Sequence, residues 1–195
     1  ARDVVVEIVL KGGAKPICSL GRNAVVTGNK VVSRLNQVYS SQEKFVLLEV
    51  EVPASFSGDL KEIASVNLSY RDMFINLPVS KSDVVKLLYS DSLVVVEASQ
   101  NNAVLIAGAE LKANEQNKVA VDLMDKGKLE EAAKLLEKNA AELDLFSEKY
   151  KSPALKKRAM SNRADSKKVK SPAAGPKLRK EMRRDQYSQD MQMKW

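Results

Sequence analysis

Residues 20–53 read LGRNAVVTGNKVVSRLNQVYSSQEKFVLLEVEVP, and this stretch decides the fold class. Val25-Val26 and Val31-Val32 flank Thr27-Gly28-Asn29-Lys30. Gly-Asn at that centre accommodates the positive φ angles of a two-residue hairpin turn. After a polar link, Val46, Leu48, Val50 and Val52 alternate with Phe45, Leu47, Glu49 and Glu51. A period of two sets one strand face toward a core and the other toward water. No catalytic side chain sits at the heart of the stretch. It is antiparallel scaffold.

The same pattern extends outward. Val4, Val6, Ile8 and Leu10 alternate with Asp3, Val5, Glu7 and Val9, a strand buried on more than one side, and Gly12-Gly13 ends it. Val66, Leu68 and Tyr70 alternate with Ser65, Asn67, Ser69 and Arg71. Arg71-Asp72 predicts a turn into a strand over residues 73–79, and the apolar run 93–96 predicts a further strand. Short strands separated by turn signals over residues 1–99 predict an antiparallel β-sandwich. A parallel βα fold would need helical patterns between the strands, and there are none.

Over residues 100–150 the period changes. Leu129, Ala132, Ala133, Leu136, Ala140 and Leu143 fall three and four apart, one stripe of a helix. Ala107, Leu111, Val119 and Leu123 form a weaker stripe upstream, interrupted by Asn114 and Glu115, and Gly127 stands between the two as a helix stop. The pair predicts an antiparallel helical hairpin. GKLEEAAKLLEKNAAEL looks like one tetratricopeptide unit, but a solenoid needs about three stacked repeats. A lone hairpin cannot bury its own stripe, so it is expected to pack on the sandwich or on a partner.

Charge separates the remainder. Residues 1–150 hold 18 Lys+Arg against 21 Asp+Glu, a net of −3, whereas residues 151–195 hold 14 against 4, a net of +10. The apolar residues of 151–195 are scattered and too few for a core of their own. That composition predicts a basic, partly disordered tail. Its candidate partner-binding residues are Lys156, Lys157, Arg158, Lys167, Lys168, Lys170, Arg179, Lys180, Arg183, Arg184 and Trp195. Tyr187, Met191, Met193 and Trp195 could form a docking end. The cations suit an acidic protein surface, including the acidic part of this same chain. They could also neutralise the phosphates of nucleic acid or an anionic membrane, with binding that weakens steeply in salt. Aromatic platforms between them are lacking, which argues against specific single-strand recognition.

Composition removes most catalytic classes. The chain has no histidine, hence no Ser-His-Asp or Cys-His nucleophile and none of the usual zinc sites. A single cysteine, Cys18, excludes an internal disulfide and reads as a buried core thiol beside Ile17. Ser41-x-x-Lys44 matches one penicillin-binding element, but Ser-Asp-Asn and Lys-Thr-Gly are both missing. Glu49 and Glu51 share a strand face as solvated residues, and Asp122, Asp125, Glu130 and Glu131 decorate helices. Neither a calcium loop nor a phosphate loop is present. No apolar run reaches the roughly 20 residues that cross a membrane, and no signal-peptide pattern occurs. The start at Ala-Arg-Asp reads as a piece of a longer protein, and nothing in the sequence names its compartment.

At Leu20-Gly21-Arg22, the Gly-containing hairpin, Tyr39-Ser40-Ser41-Gln42-Glu43 and Val52-Pro53, the sequence resembles the region that follows the metal-binding domain in bacterial von Willebrand factor type A proteins. Some of these are relatives of calcium-activated chloride channels or inter-α-trypsin inhibitor heavy chains. Ser69-Tyr70-Arg71-Asp72 and the Gly127-to-Ala132 segment agree in order, so the resemblance covers roughly residues 1–148. It implies a non-enzymatic scaffolding module accessory to a metal-dependent adhesion domain. Such domains hold Mg or Ca through Asp-x-Ser-x-Ser. No aspartate here opens that motif, so the ion is expected only on a separate type A domain. The expected partners are then a type A domain or an acidic surface. The alternative is nucleic-acid or anionic-surface binding through the tail. A sandwich with a helical lid, as in Hsp70 chaperones, shares the order of parts but none of the strand motifs.

Overall fold

The computed structural model describes residues 1–21, 24–170 and 175–192. The chain divides into two compact units, one over Ala1–Gln100 and the other from Asn101 onward. Among the described residues, no helix is long and apolar enough to cross a membrane.

The first unit holds strands β1 (Arg2–Leu10), β2 (Lys15–Leu20), β3 (Ala24–Thr27), β4 (Lys30–Gln37), β5 (Leu47–Glu51), β6 (Leu60–Arg71) and β7 (Pro78–Leu88), followed by the short helix α1 (Leu93–Ala98). Thr27 pairs with Lys30, so Gly28 and Asn29 form the expected two-residue turn. Gly28 alone takes positive φ, at 61°, the pattern of a type II′ turn with Gly first. Five strands make one sheet in the order β3-β4-β1-β6-β7, and β2 pairs with β5 in a second, all antiparallel.

Register decides which residues face the core. Ile8 lies opposite both Val31 and Val66, and Leu10 lies opposite Ala64, so these side chains share one face. Leu10, Ala14 and Ala64 are buried there, with Ile8, Ile63, Leu48, Val50 and Val52 packed against them. The second sheet therefore covers β1 and β6 through the aliphatic face that alternation assigned to β5. This is the sandwich. Its layers are unequal, two strands against five, and β7 is exposed along nearly its whole length.

Three sequence expectations in this unit are corrected. Of the strand expected over residues 73–79, only Pro78 and Val79 belong to one: the Asp72 side chain accepts hydrogen bonds from the Phe74 and Ile75 N–H groups and holds residues 73–77 in a loop. Residues 93–96 are helical, and local bonds such as Val96 N–H to Ser92 O take their backbone groups. Cys18 is half-buried at the edge of the second sheet, its Sγ 3.6 Å from Glu49 Oε2, and its neighbour Ile17 is exposed.

The second unit holds α2 (Asn102–Asp125), α3 (Leu129–Tyr150), α4 (Pro153–Val169) and α5 (Gly175–Asp190). The Asn101 side chain caps α2 by accepting from Ala103 N and Val104 N. At its end Gly127 takes φ +75°, its N–H bonds Met124 O, and Lys128 N–H bonds Leu123 O. These are the two bonds of a Schellman stop, and they produce the expected hairpin. Ser152 then caps α4, with Pro153 at its first position.

The tail departs from expectation. Rather than a partly disordered segment, residues 153–169 and 175–190 are helices with a buried stripe. Ala120, Val121, Met124, Ala132, Ala133 and Leu136 form one cluster with Val169, Leu178 and Met182. Ala113 and Leu143 form another with Leu155 and Ala159. The tail lacks the apolar residues for its own core, so it shares the hairpin's. The hairpin's stripe is covered in turn. Asn114 and Glu115 do not interrupt α2, and its buried face runs through Leu111, Asn114, Val121 and Met124 while Val119 stays exposed.

Candidate interaction surfaces

In the β unit, the β6–β7 loop presents an apolar tip on a fixed frame. Asp72 Oδ1 accepts from Phe74 N at 2.8 Å, and Asp72 N–H donates to Leu77 O at 2.9 Å. Arg71 Nη1 donates to Asn76 O at 3.0 Å, and Asn76 sits at φ +53°. With its polar groups so occupied, the loop turns Met73, Phe74, Ile75 and Leu77 outward, and Phe74 is 100% exposed. Leu93 to Val96 on α1 are exposed as well. Sequence reading missed this tip by assigning it to a strand. Three consecutive apolar residues directly after Arg-Asp were the signal.

In the helical unit, six of the ten candidate cations on 156–184 meet carboxylates. Lys156 pairs with Asp144 at 3.1 Å, Lys168 with Asp165 at 3.3 Å and Lys170 with Glu130 at 3.4 Å. Arg179 pairs with Asp125 at 3.4 Å, Arg183 with the same carboxylate, and Arg184 with Asp185 at 3.6 Å. Arg158 is half-buried, and its burial lowers the guanidinium pKa against the nearby charges of Glu110 and Asp185. Lys157, Lys167 and Lys180 are exposed and make no ion pair among the described residues. Trp195, like Arg22 of the Leu-Gly-Arg element and Met193, lies outside the described residues. Tyr187 is exposed on α5. A further aromatic pair, exposed Phe146 stacked on half-buried Tyr150 at 5.9 Å, lies at the end of α3.

Two carboxylates in this unit titrate in opposite directions. Partial desolvation pushes the Asp144 carboxyl up, but hydrogen bonds and charge from Lys156 and Arg163 outweigh it and hold it below its ordinary value. Desolvation raises Asp165; Lys168 opposes this, and the like charges of Asp185 and Glu181 add to it. A depressed carboxyl stabilises the fold above the unfolded-state value and loses that contribution as pH falls through its folded value. A raised carboxyl keeps its proton longer in the native state, so stability falls as pH climbs from the unfolded value through the folded one. Asp165→Asn is therefore expected to raise the melting temperature at neutral pH and flatten its decline above about pH 4. Thermal melts across that range check it, and an unchanged or lowered melting temperature at neutral pH contradicts it.

Among the described residues there is no group of three or more His, Cys, Asp or Glu side chains placed to hold a metal ion. Ser41 sits in a turn at φ +60°. Glu51 is exposed and pairs across the strand with Lys15, and Glu49 faces Cys18.

No family model and no curated protein matches the sequence. Among solved structures, the chain is similar to a von Willebrand factor type A protein from Catenulispora acidiphila, with a TM-score of 0.53 and 14% identity. The likeness covers 85% of this chain and 46% of that one, so this chain spans about half the length of the protein it matches. At that identity the likeness is one of fold.

Proposed function

We propose that the chain is a non-enzymatic interaction module that works beside a von Willebrand type A domain. The apolar tip at residues 73–77 is the observation that carries this reading. Apolar side chains held outward on a hydrogen-bonded loop mark a contact surface. The fold likeness supports it, since a protein of that fold carries as much chain again as is matched here. Among the described residues every strand pair is antiparallel. The adhesive ion belongs to the type A domain in this reading, because Asp-x-Ser-x-Ser does not occur here.

The test is calorimetry with a type A domain encoded alongside this chain. Phe74→Ser is expected to weaken binding by about 2 kcal/mol, roughly 30-fold, as for a buried aromatic anchor. Titrating the chain alone with Mg²⁺ or Ca²⁺ is expected to give no binding in the micromolar range. Wild-type affinity in the Phe74 variant, or micromolar metal binding to the chain, counts against the proposal.

The second reading, binding of nucleic acid or an anionic surface through α4 and α5, is weakened by the ion pairs of those helices. Were it correct, the logarithm of affinity for duplex DNA should fall with the logarithm of salt at a slope near −0.9 per phosphate contacted. With Lys157, Lys167, Lys177 and Lys180 as the exposed cations of these helices without an ion pair among the described residues, that slope is about −4, far short of the value ten cations would give.

A further inference from the structure

We propose that β7 is a homotypic edge through which two copies of this chain pair, antiparallel, about a twofold axis at Ser82. β7 ends the five-stranded sheet, and Ser80 to Lys86 are exposed without a break. The opposite edge, β3, has four residues, whereas β7 has eleven. A long edge strand offers a row of backbone donors and acceptors that another strand can satisfy.

The side chains say which strand. Val79, Lys81, Asp83 and Val85 lie opposite Tyr70, Leu68, Val66 and Ala64, so they share the core-directed face of the sheet. The second sheet covers β1 and β6 but leaves this part bare. Neither Lys81 nor Asp83 has an ion-pair partner among the described residues, and the Asp83 carboxylate accepts only from the neighbouring Val84 N–H, at 2.8 Å. Charges on an edge normally keep it apart from other edges. Here the opposite signs stand two residues apart, and that spacing is self-complementary. With Ser82 on the axis, Lys81 faces Asp83 of the second copy, Val79 faces Val85, Ser80 faces Val84, and each contact occurs twice. Sliding the pair by one residue per strand, so that Asp83 lies on the axis, sets two aspartates against each other. One register is attractive and its neighbour is repelled.

The interface is small, below the roughly 1,200 Å² typical of stable complexes, so the pairing is reversible and concentration-dependent. Sedimentation equilibrium on the full chain tests it. The expected result is a monomer–dimer equilibrium in which Lys81→Asp or Asp83→Lys alone raises the dissociation constant about tenfold or more. The double variant K81D/D83K is expected to restore the wild-type value, and an equimolar mixture of the two single variants to form a heterodimer. In a Cys18→Ala background, Ser82→Cys is expected to oxidise to a cross-linked dimer, since directly opposed strand positions lie within disulfide reach. A chain that stays monomeric at every concentration overturns the proposal, and so does a dimer indifferent to the single charge reversals. Retention of circular dichroism in each variant separates loss of pairing from loss of fold.

Discussion

Ending the chain after Tyr150 is expected to unfold the helical unit. If residues 151–195 were a solvated linker, their removal would leave stability unchanged. Instead α4 and α5 contribute Leu155, Ala159, Val169, Leu178 and Met182 to the two clusters, all 5% exposed or less. Burying a large aliphatic side chain contributes about 1.5–3 kcal/mol. The four large ones together contribute on the order of 6–12 kcal/mol, comparable with the whole stability of a typical domain. The truncated chain would also expose Ala120, Val121, Met124, Leu136 and Leu143 of α2 and α3 to water. It would leave Asp144 without Lys156 and Arg163, and Asp125 without Arg179 and Arg183. Far-ultraviolet circular dichroism should show helix lost from residues 101–150 as well as from the deleted part. Amide exchange should show α2 and α3 unprotected. A truncated chain that melts like the intact one would sink this account.

Why the sandwich and the hairpin were legible follows from where their information lies. The Gly28-Asn29 turn, the alternation over residues 46–52 and the Gly127 stop each act within a few residues, so a short window contains cause and effect. The errors occurred where partners are distant. A run of four apolar residues at 93–96 is equally consistent with strand or helix, and the run by itself does not decide between them. The tail's buried positions, Leu155, Ala159, Asn162, Ser166 and Val169, fall four and three apart, as do Leu178, Met182 and Gln186 at intervals of four. That stripe is a regular helical one, but Ala, Asn, Ser and Gln give it a hydropathy near that of a linker. Two of its polar members bond residues elsewhere, while Asn162 Nδ2 and Gln186 Nε2 are buried without a partner among the described residues. Ser166 Oγ donates to Ala133 O at 3.0 Å, and Asn162 Oδ1 accepts from Asn117, whose own Oδ1 accepts from Asn139. Likewise the tail's cations were visible, but not their carboxylates: Asp125 lies on α2 and Asp144 on α3. Four of the candidate binding residues, Lys156, Lys170, Arg179 and Arg183, thus also pair with carboxylates of α2 and α3 and help α4 and α5 dock.

Asn114 puts these two ways of reading a sequence in opposition, and Asn114→Leu measures which is right. On the pattern alone, Asn114 breaks an apolar stripe, and leucine at that position repairs it and stabilises α2. In the structure Asn114 is fully buried, and its Nδ2 donates to Asp190 Oδ1 at 2.8 Å and to Gln186 O at 3.4 Å. Lys118 holds the same aspartate at 2.8 Å, and burial lowers the lysine's pKa less than Asp190 and Glu115 raise it. Leucine would withdraw one donor from Asp190 and would need space that the packed α2–α5 contact does not provide. Depriving the half-buried Asp190 carboxylate of one of its two donors costs about 1 kcal/mol, and overpacking the buried site adds about 1–3 kcal/mol. The urea midpoint should therefore fall, and amide exchange over residues 178–186 should accelerate more than over α3, because the bonds lost are those joining α2 to α5. A higher midpoint would mean that the apolar pattern of α2 outweighs its polar links to the tail.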